Sequence, residues 1–290
     1  MTDQYTLDKR RVRRSFGRAA ATYDRVAVLQ REICDRMAER LQYIKFEPQV
    51  ILDAGSGTGY GARQLRERYA KSRVIELDIA PGMLQASRSH QSAWKRLLPF
   101  VAAEERVCAD IESLPLRAGS VGMIWSNLAL QWCGDLDAAF AGMHGVMESG
   151  GLLMFSTFGP DTLKELRQTF GALDAHAHVN RFLDMHDIGD ALVRAGFAAP
   201  VMDMETVTLT YEDLAGLMRD LKALGAHNAN QGRSRGLLGK GAWQRLQQNY
   251  EALRRDGKLP ATYEVVYGHA WKGEKKPAPG EAQVVRFAKK

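Results

Sequence analysis

Cysteine is scarce in this 290-residue chain: there are three, Cys34, Cys108 and Cys133, and no two form a C-x-x-C pair. A disulfide-stapled scaffold and a structural zinc site both need thiols in closely spaced sets, so neither is expected. Scattered thiols point to a reducing, cytoplasmic setting. Long apolar runs are missing too. No segment approaches the ~18 consecutive apolar residues of a spanning helix, so no membrane role is expected. The first 31 residues are polar and arginine-rich, with no apolar centre of the kind a secretory signal carries. Asp3, Asp8 and Asp24 set that segment apart from the acid-poor transit peptides of organelles. Internal repeats and low-complexity blocks are also absent, which excludes solenoids and compositional linkers.

What is present suits a folded domain: 45% apolar and 26% charged residues, and enough chain for one large α/β unit. The net charge of +6 is uneven. Residues 1–31 carry eight Lys/Arg against three Asp/Glu, residues 212–258 nine against five, and residues 272–290 six against two, which leaves the central portion acidic. A basic appended face attracts an acidic partner and speeds encounter, with Lys222, Arg233, Arg235 and Lys240 as candidates. A solvated surface and a loose tail account for the same charges.

Phe16, Tyr23, Val26, Ile33, Met37 and Leu41 recur near helical spacing, which predicts one helix over 9–43, ended before Pro48. Residues 50–54 form a short apolar run that stops at glycines, a buried strand. Further strands are expected at 74–78, 107–109, 121–126 and 152–157, with helices at 61–70, from Pro81, and at 137–147. This alternation predicts a parallel sheet with helices on both faces. Beyond residue 157 the pattern changes to helices at 161–173 and 186–195, an alternating strand at 201–211 and a mostly helical stretch at 212–256. Glycines interrupt that stretch from 225 to 241, and a last strand at 263–271 precedes a loose tail.

The most specific local signal is Asp53-Ala54-Gly55-Ser56-Gly57-Thr58-Gly59, between the first strand and its helix. Glycine there lets the backbone turn tightly and approach a ligand with no Cβ in the way. The spacing is G-x-G-x-G, not the G-x-G-x-x-G of dinucleotide sites, and suits a ligand without a pyrophosphate. Asp53 can accept from an ammonium group or order the loop. Asp78 ends the second strand, nineteen residues past Gly59, where an acceptor-only carboxylate can take both hydroxyls of a ribose. Asp110 and Ile111 offer an acceptor for an adenine amino group and an apolar contact for its ring, although Asp110 equally suits a turn. Asn127 and Leu128 end the fourth strand at the sheet's carboxyl edge, where ligands bind in such folds. Gln131 and Trp132 follow at once, as pocket floor or as core.

Residues 50–60, 76–84 and 109–116 resemble the motifs of class I S-adenosylmethionine methyltransferases. More narrowly, residues 15–23, 110–116, 126–134, 178–183 and 218–226 are similar to the malonyl-acyl-carrier-protein O-methyltransferases of biotin synthesis, and the likeness runs from about residue 9 to 272. The resemblance implies a Rossmann-like α/β sheet with helices on both faces and a helical cap inserted before the last strand. It implies a single methyltransferase domain at about 1–271, with an N-terminal lid helix at about 9–43, a helical insertion at about 212–258 and a flexible tail at 272–290. It implies S-adenosylmethionine as cofactor and no metal. The cofactor-binding residues would be Tyr23, Asp53, Gly55, Ser56, Gly57, Gly59, Asp78, Ile79, Met83, Asp110, Ile111, Asn127 and Leu128. The partner would be malonyl-acyl carrier protein or malonyl-coenzyme A, not nucleic acid.

Methyl transfer to a carboxylate needs no general base, because the nucleophile is already ionised at neutral pH. The enzyme must align the groups and exclude water. It also needs a cation opposite the substrate carboxylate, since an unpaired buried charge is costly. Arg181 is the expected cation, through two parallel hydrogen bonds, with Gln131 and Trp132 completing the catalytic end. Asn127 is not followed by Pro-Pro and so lacks the motif of amide N-methyltransferases. Residues 158–163, 165–167 and 260–263 look at home in a related family of complex I assembly factors that hydroxylate a protein arginine, whereas residues 178–183 favour the biotin-synthesis family. Two further readings are a nucleic-acid methyltransferase, which the basic balance suits although no nucleic-acid module is recognisable, and a non-enzymatic scaffold.

Overall fold

The structure is a computed structural model that describes residues 6–90, 104–174, 176–226, 228–230 and 239–273. The tail past residue 273, and Arg233 and Arg235 in the glycine-rich segment, lie outside the described residues. The single helix expected over 9–43 is instead three: α1 (Lys9–Ala19), α2 (Tyr23–Val26) and α3 (Val28–Arg40), closed by a 3₁₀ turn at Leu41–Tyr43. The apolar spacing persists across the breaks, so periodicity alone could not show them. Ala27 leaves the helical region (φ −78°, ψ 43°), and the Thr22 hydroxyl sits 2.9 Å from the Ala223 carbonyl, a tertiary tie that turns the chain. Asp8 caps α1 by accepting from the Arg11 amide at 3.1 Å.

Five strands then alternate with helices: β1 (Val50–Ala54), α4 (Tyr60–Arg68), β2 (Arg73–Asp78), α5 (Pro81–Ser89), β3 (Glu105–Cys108), β4 (Val121–Asn127), α6 (Leu136–Val146) and β5 (Met147–Phe158). The chain continues through α7 (Lys164–Gly171), α8 (Met185–Arg194), β6 (Phe197–Tyr211), α9 (Leu214–Ala223), α10 (Lys240–Glu251) and β7 (Leu259–Lys272). The strand order is β3-β2-β1-β4-β5-β7-β6. The first five strands are parallel, as the alternation predicts, but β7 enters between β5 and β6 antiparallel to both. The reason is local. Tyr211 pairs with Leu259, so the segment carrying α9 and α10 leaves and rejoins the sheet at the same end, as an enlarged hairpin connection with no need to cross the sheet.

Side chains alternate across the sheet and pack two cores. On one face Ile51, Met123, Trp125 and Met154 meet α3, α4, α7, α9 and α10. On the other, Leu52, Ile124, Leu153 and Phe155 meet Phe140 and Met143 of α6 and Ile188 and Leu192 of α8. Gly268 of β7 is where the second core leaves no space: a Cβ there would stand 2.2 Å from Cζ of Phe155. Phe155 cannot yield, being fully buried against Phe140 at a ring separation of 5.7 Å. Gly268→Ala is therefore expected to lower unfolding stability by about 1–3 kcal/mol, the usual range for overpacking. Urea unfolding checks this, and an unchanged midpoint would show that the ring can move aside.

Candidate active site

The glycine loop is clamped to the end of β2. The amides of Gly55 and Ser56 both donate to the Leu77 carbonyl, at 2.7 and 2.9 Å. Asp78 then receives two amides: Gly57 N–H on Oδ2 at 2.9 Å and Ala80 N–H on Oδ1 at 2.8 Å. Burial pushes the Asp78 carboxyl up to about 6, against the pull of those two hydrogen bonds. Gly55 has φ +82°, and a Cβ on it would lie 2.2 Å from that of Ala129, so only glycine lets the two loops touch. Ala129 is brought there by Leu128, a non-glycine residue at φ 49°, whose amide lies 3.1 Å from both the carbonyl and the hydroxyl of Ser156.

Two adjoining compartments result. The first is lined by Tyr23, Gly55, Gly57, Asp78, Ile79, Met83, Asp110, Ile111, Asn127, Leu128 and Trp132, with Lys9, Val12 and Phe16 of α1 on its outer side. The second holds Tyr23, Gln30, Asp53, Gly55, Ser56, Gly57, Trp125 and Asn127. Four of its buried polar atoms have no hydrogen-bond partner: Gln30 Oε1, Asp53 Oδ2, Ser56 Oγ and Trp125 Nε1. Burial, with Glu76 and Asp78 close by, pushes the Asp53 carboxyl well up. The Tyr23 phenol is pushed up as well, by burial and by the Asp78 and Asp24 carboxylates, and stays a neutral hydroxyl.

A third cavity, of about 440 Å³, shares Trp132 with the first compartment and Gln30 with the second. Its walls are mostly apolar, from Phe158, Leu166, Phe182, Met218 and Tyr263 among others. Its basic lining is Arg11, His178 and Lys222, with no carboxylate among the described residues.

The structure thus brings together nearly all the residues expected at the cofactor. Gly59 stands apart, behind the loop as the residue before α4, at φ +78° and beside Ser87 and Glu76. Asp110 is engaged by Lys9 at 2.9 Å and by the Glu112 amide at 3.1 Å. At the expected catalytic end, Trp132 forms the wall between compartments and meets Phe16 edge to face at 5.1 Å. Gln131 is tied at both ends, donating to the Leu128 carbonyl (2.7 Å) and accepting from the Thr157 hydroxyl (3.2 Å). Arg181 is exposed and lines two clefts beside Phe182; one of them also holds Gln131, and Trp132 lines neither. The sequence reading missed Lys9, Arg11, Gln30 and Trp125, whose spacing is that of ordinary helix and strand positions. The clasp of Asp24 on Thr58 (2.5 Å) and His90 (2.8 Å) carried no signal either.

The family described as a methyltransferase domain matches residues 52–155, the segment from β1 to β5. A malonyl-acyl-carrier-protein O-methyltransferase of Gallionella capsiferriformans is 62% identical over 277 residues, covering 96% of this chain and 94% of that protein. One from Laribacter hongkongensis is 61% identical over 96% of this chain and 94% of its own length. The chain belongs to this methyltransferase family. Among solved structures, the YcgJ protein from Bacillus subtilis aligns with TM-score 0.58 at 14% identity, covering 82% of this chain and 98% of that one. An S-adenosylmethionine-dependent methyltransferase from Thermotoga maritima aligns with TM-score 0.52 at 14% identity, over 90% and 99% of the two chains. Those two likenesses speak for the fold alone. The fold is that of class I methyltransferases, and the cofactor of the family is S-adenosylmethionine.

Asp78 generates a pH dependence. Its ionised form accepts hydrogen bonds, and below about pH 6 the free protein holds it protonated. Affinity for S-adenosylhomocysteine should therefore be lost as pH falls from 7 to 5 and should level off above the Asp78 value. Asp78→Asn should lower affinity tenfold or more at pH 7, on the scale of about 1.5–3 kcal/mol for charge-assisted bonds, and flatten the profile. Calorimetry across that range decides it. A parental profile flat from pH 5 to 7 would remove Asp78 from ligand contact.

Proposed function

We propose that this chain transfers a methyl group from S-adenosylmethionine to the free carboxylate of a malonyl thioester carried on acyl carrier protein, the reaction for which its relatives are named and which the sequence resemblance attaches to biotin synthesis. One observation carries the reading: the two loop compartments adjoin, at Trp132 and Gln30, an apolar cavity whose charged groups include cations and, among the described residues, no carboxylate. An anionic acyl group is matched there, and a cationic or amide acceptor is not.

The loop residues fit the cofactor. Gln30 Oε1, Asp53 Oδ2 and Ser56 Oγ are buried acceptors without partners, as an ammonium group requires. Asp78 has the position and acceptor character for ribose hydroxyls, and Ile79, Met83 and Ile111 supply apolar walls for an adenine ring. Bound S-adenosylmethionine supplies a sulfonium methyl whose C–S bond breaks as the acceptor oxygen bonds to carbon, the electron pair returning to sulfur. The protein's part is positional. Trp132 and Phe16 keep water from the junction. No acid or base is needed beside them, and Gln131, held by Leu128 and Thr157, presents none.

In this reading α1 and α2 form a lid. Lys9 ties it to Asp110 and Glu112, each at 2.9 Å, and Asp24 ties it to Thr58 and His90. Arg181 and Lys222, both exposed, are assigned to the outer approach, where they draw in an acidic carrier. The arginine-hydroxylase alternative is not carried forward. The residues that suggested it have structural work: Glu165 accepts from the amide and hydroxyl of Thr262, and Glu264 from the Asp161 amide at 2.6 Å.

Incubation with S-adenosylmethionine and malonyl-acyl carrier protein should add about 14 Da (one CH₂) to the acyl chain by mass spectrometry, and acetyl-acyl carrier protein should stay unmodified. Failure to modify the malonyl substrate would overturn the reading. KM for the carrier-bound substrate should also rise with salt more steeply than KM for malonyl-coenzyme A, because steering across ~10 Å is screened at 0.1 M salt. Equal salt dependence would argue against a docking face at Lys222 and Lys240.

A further inference from the structure

Resting on that reading of the substrate, we infer that the outer face of α1 is the docking surface for the acidic carrier protein, with Arg10, Arg14 and Arg18 as its contact row. The three recur at every fourth position and so lie in line along the helix, and Arg13 stands one turn from Arg10 beside them. All four are exposed, and none makes an ion pair among the described residues. Other helices treat arginine differently. Arg36 of α3 meets Glu32 and Glu205, Arg40 meets Asp203, and Arg194 of α8 meets Asp137. By contrast α1 contains no acidic residue, and Arg10 sits in its first turn, where the helix dipole opposes a cation. Like charges four residues apart also repel. The row therefore works against the helix that bears it, and an acidic partner relieves both effects.

The rest of α1 is already occupied. Lys9, Val12 and Phe16 line the cofactor compartment. Gly17 rests on α5, where a Cβ on Gly82 would stand 2.8 Å from the Gly17 carbonyl oxygen. On another side Gly225 closes on α1, and a Cβ there would lie 2.9 Å from both the Ser15 carbonyl oxygen and the Ala19 methyl. The arginine row is thus presented from a fixed base. It spans about 12 Å, with about 6 Å of rise between successive arginines. An acidic helix laid alongside offers carboxylates at the same pitch. The helix that bears the row also lines the acceptor cavity, through Arg11, as α9 does through Met218, Leu221 and Lys222. A carrier docked on α1 therefore stands beside the cavity that its acyl group has to enter.

The test is steady-state kinetics with malonyl-acyl carrier protein and with malonyl-pantetheine, which offers the same reacting group without the protein. The parental protein should show the lower KM for the carrier-bound substrate. Joint replacement Arg10→Gln, Arg14→Gln and Arg18→Gln should raise that KM at least fivefold, with kcat and the KM for malonyl-pantetheine within about twofold. The matching Arg→Lys triple keeps the charge and should stay within about twofold of the parental protein on both substrates. An unchanged carrier KM in the glutamine triple, or an equal rise for both substrates, would overturn the docking face. So would an equal loss in the lysine triple, or competition by duplex RNA as strong as by unacylated carrier, which would mark an unselective anion surface. A parental protein that methylates neither substrate would instead sink the reading of the substrate, a result distinguishable from failure at α1 alone.

Discussion

Three carboxylates crowd the carboxyl ends of β1 and β2: Asp53 at 2% exposure, Glu76 at 0% and Asp78 at 8%. A parallel sheet forces this crowding, because adjacent strands end on the same side and their last residues meet over one crevice. The charges are not treated alike. Glu76 is paired with Arg66 at 2.8 Å and receives the Ser87 hydroxyl. Asp53 and Asp78 make no ion pair among the described residues, and burial raises both carboxyls. Such buried carboxylates favour a cationic partner, which on the proposed function the ammonium group of the cofactor would be. The glycine loop, the Gly55–Ala129 approach and the strained Leu128 bring backbone of two loops together beside those oxygens.

Covering this crevice is a problem of chain connectivity as much as of packing. The lid comes from the N-terminus, and the segments that receive it come from positions 177–180 and 228–230, far along the chain. They are joined by backbone: Asp8 to Ala229, an isolated bridge between Leu7 and Asn230, and Asn180 to Ala229. The helical insertion between β6 and β7 supplies the remaining wall through Met218 and Leu221. Because that insertion begins and ends at one edge of the sheet, it can be long without disturbing strand order, and the acceptor cavity is built in the space it encloses.

The parallel half of the fold was legible because its signals are local. A short apolar run ending in glycine, followed by an amphipathic helix, has few other readings, and Asp53, Asp78, Asp110 and Asn127 all sit at strand ends where counting along the chain places them. The breaks at Thr22 and Ala27 were illegible because tertiary ties cause them while the apolar period runs on. The antiparallel entry of β7 was illegible for a related reason: a strand buried on both faces reads the same in either direction. Within residues 178–183 the sequence singled out Arg181, which is exposed, while the buried polar residue is Asn180, at 7% exposure, whose Oδ1 accepts from the Ala229 amide, a tertiary tie that no local pattern announces. Lys9 and Arg11 gave no signal, since two basic residues near the start of a basic helix are unremarkable until the helix is laid over a pocket.

On the proposed reaction the acceptor is an already ionised nucleophile, and the groups around Trp132 suit that chemistry. A reaction that needs proton transfer would call for a titratable group at the junction, with its value tuned near neutrality. Here the residues that the apolar cavity shares with the loop compartments are an indole and an amide, Trp132 and Gln30, and the neighbouring Gln131 has both ends of its side chain committed. The titratable groups stand back from the junction, carboxylates on the cofactor side and cations on the acceptor side. This separation has electrostatic sense. Carboxylates favour a donor bearing positive charge, cations favour an acceptor bearing negative charge, and the two reactants attract one another across a wall that contributes no charge of its own. A carboxylate on the acceptor side would repel the substrate, and a cation on the cofactor side would repel the sulfonium. Lys9 reaches the cofactor side only with its charge committed to Asp110 and Glu112. The helix that carries Lys9 can therefore cover the donor without opposing it.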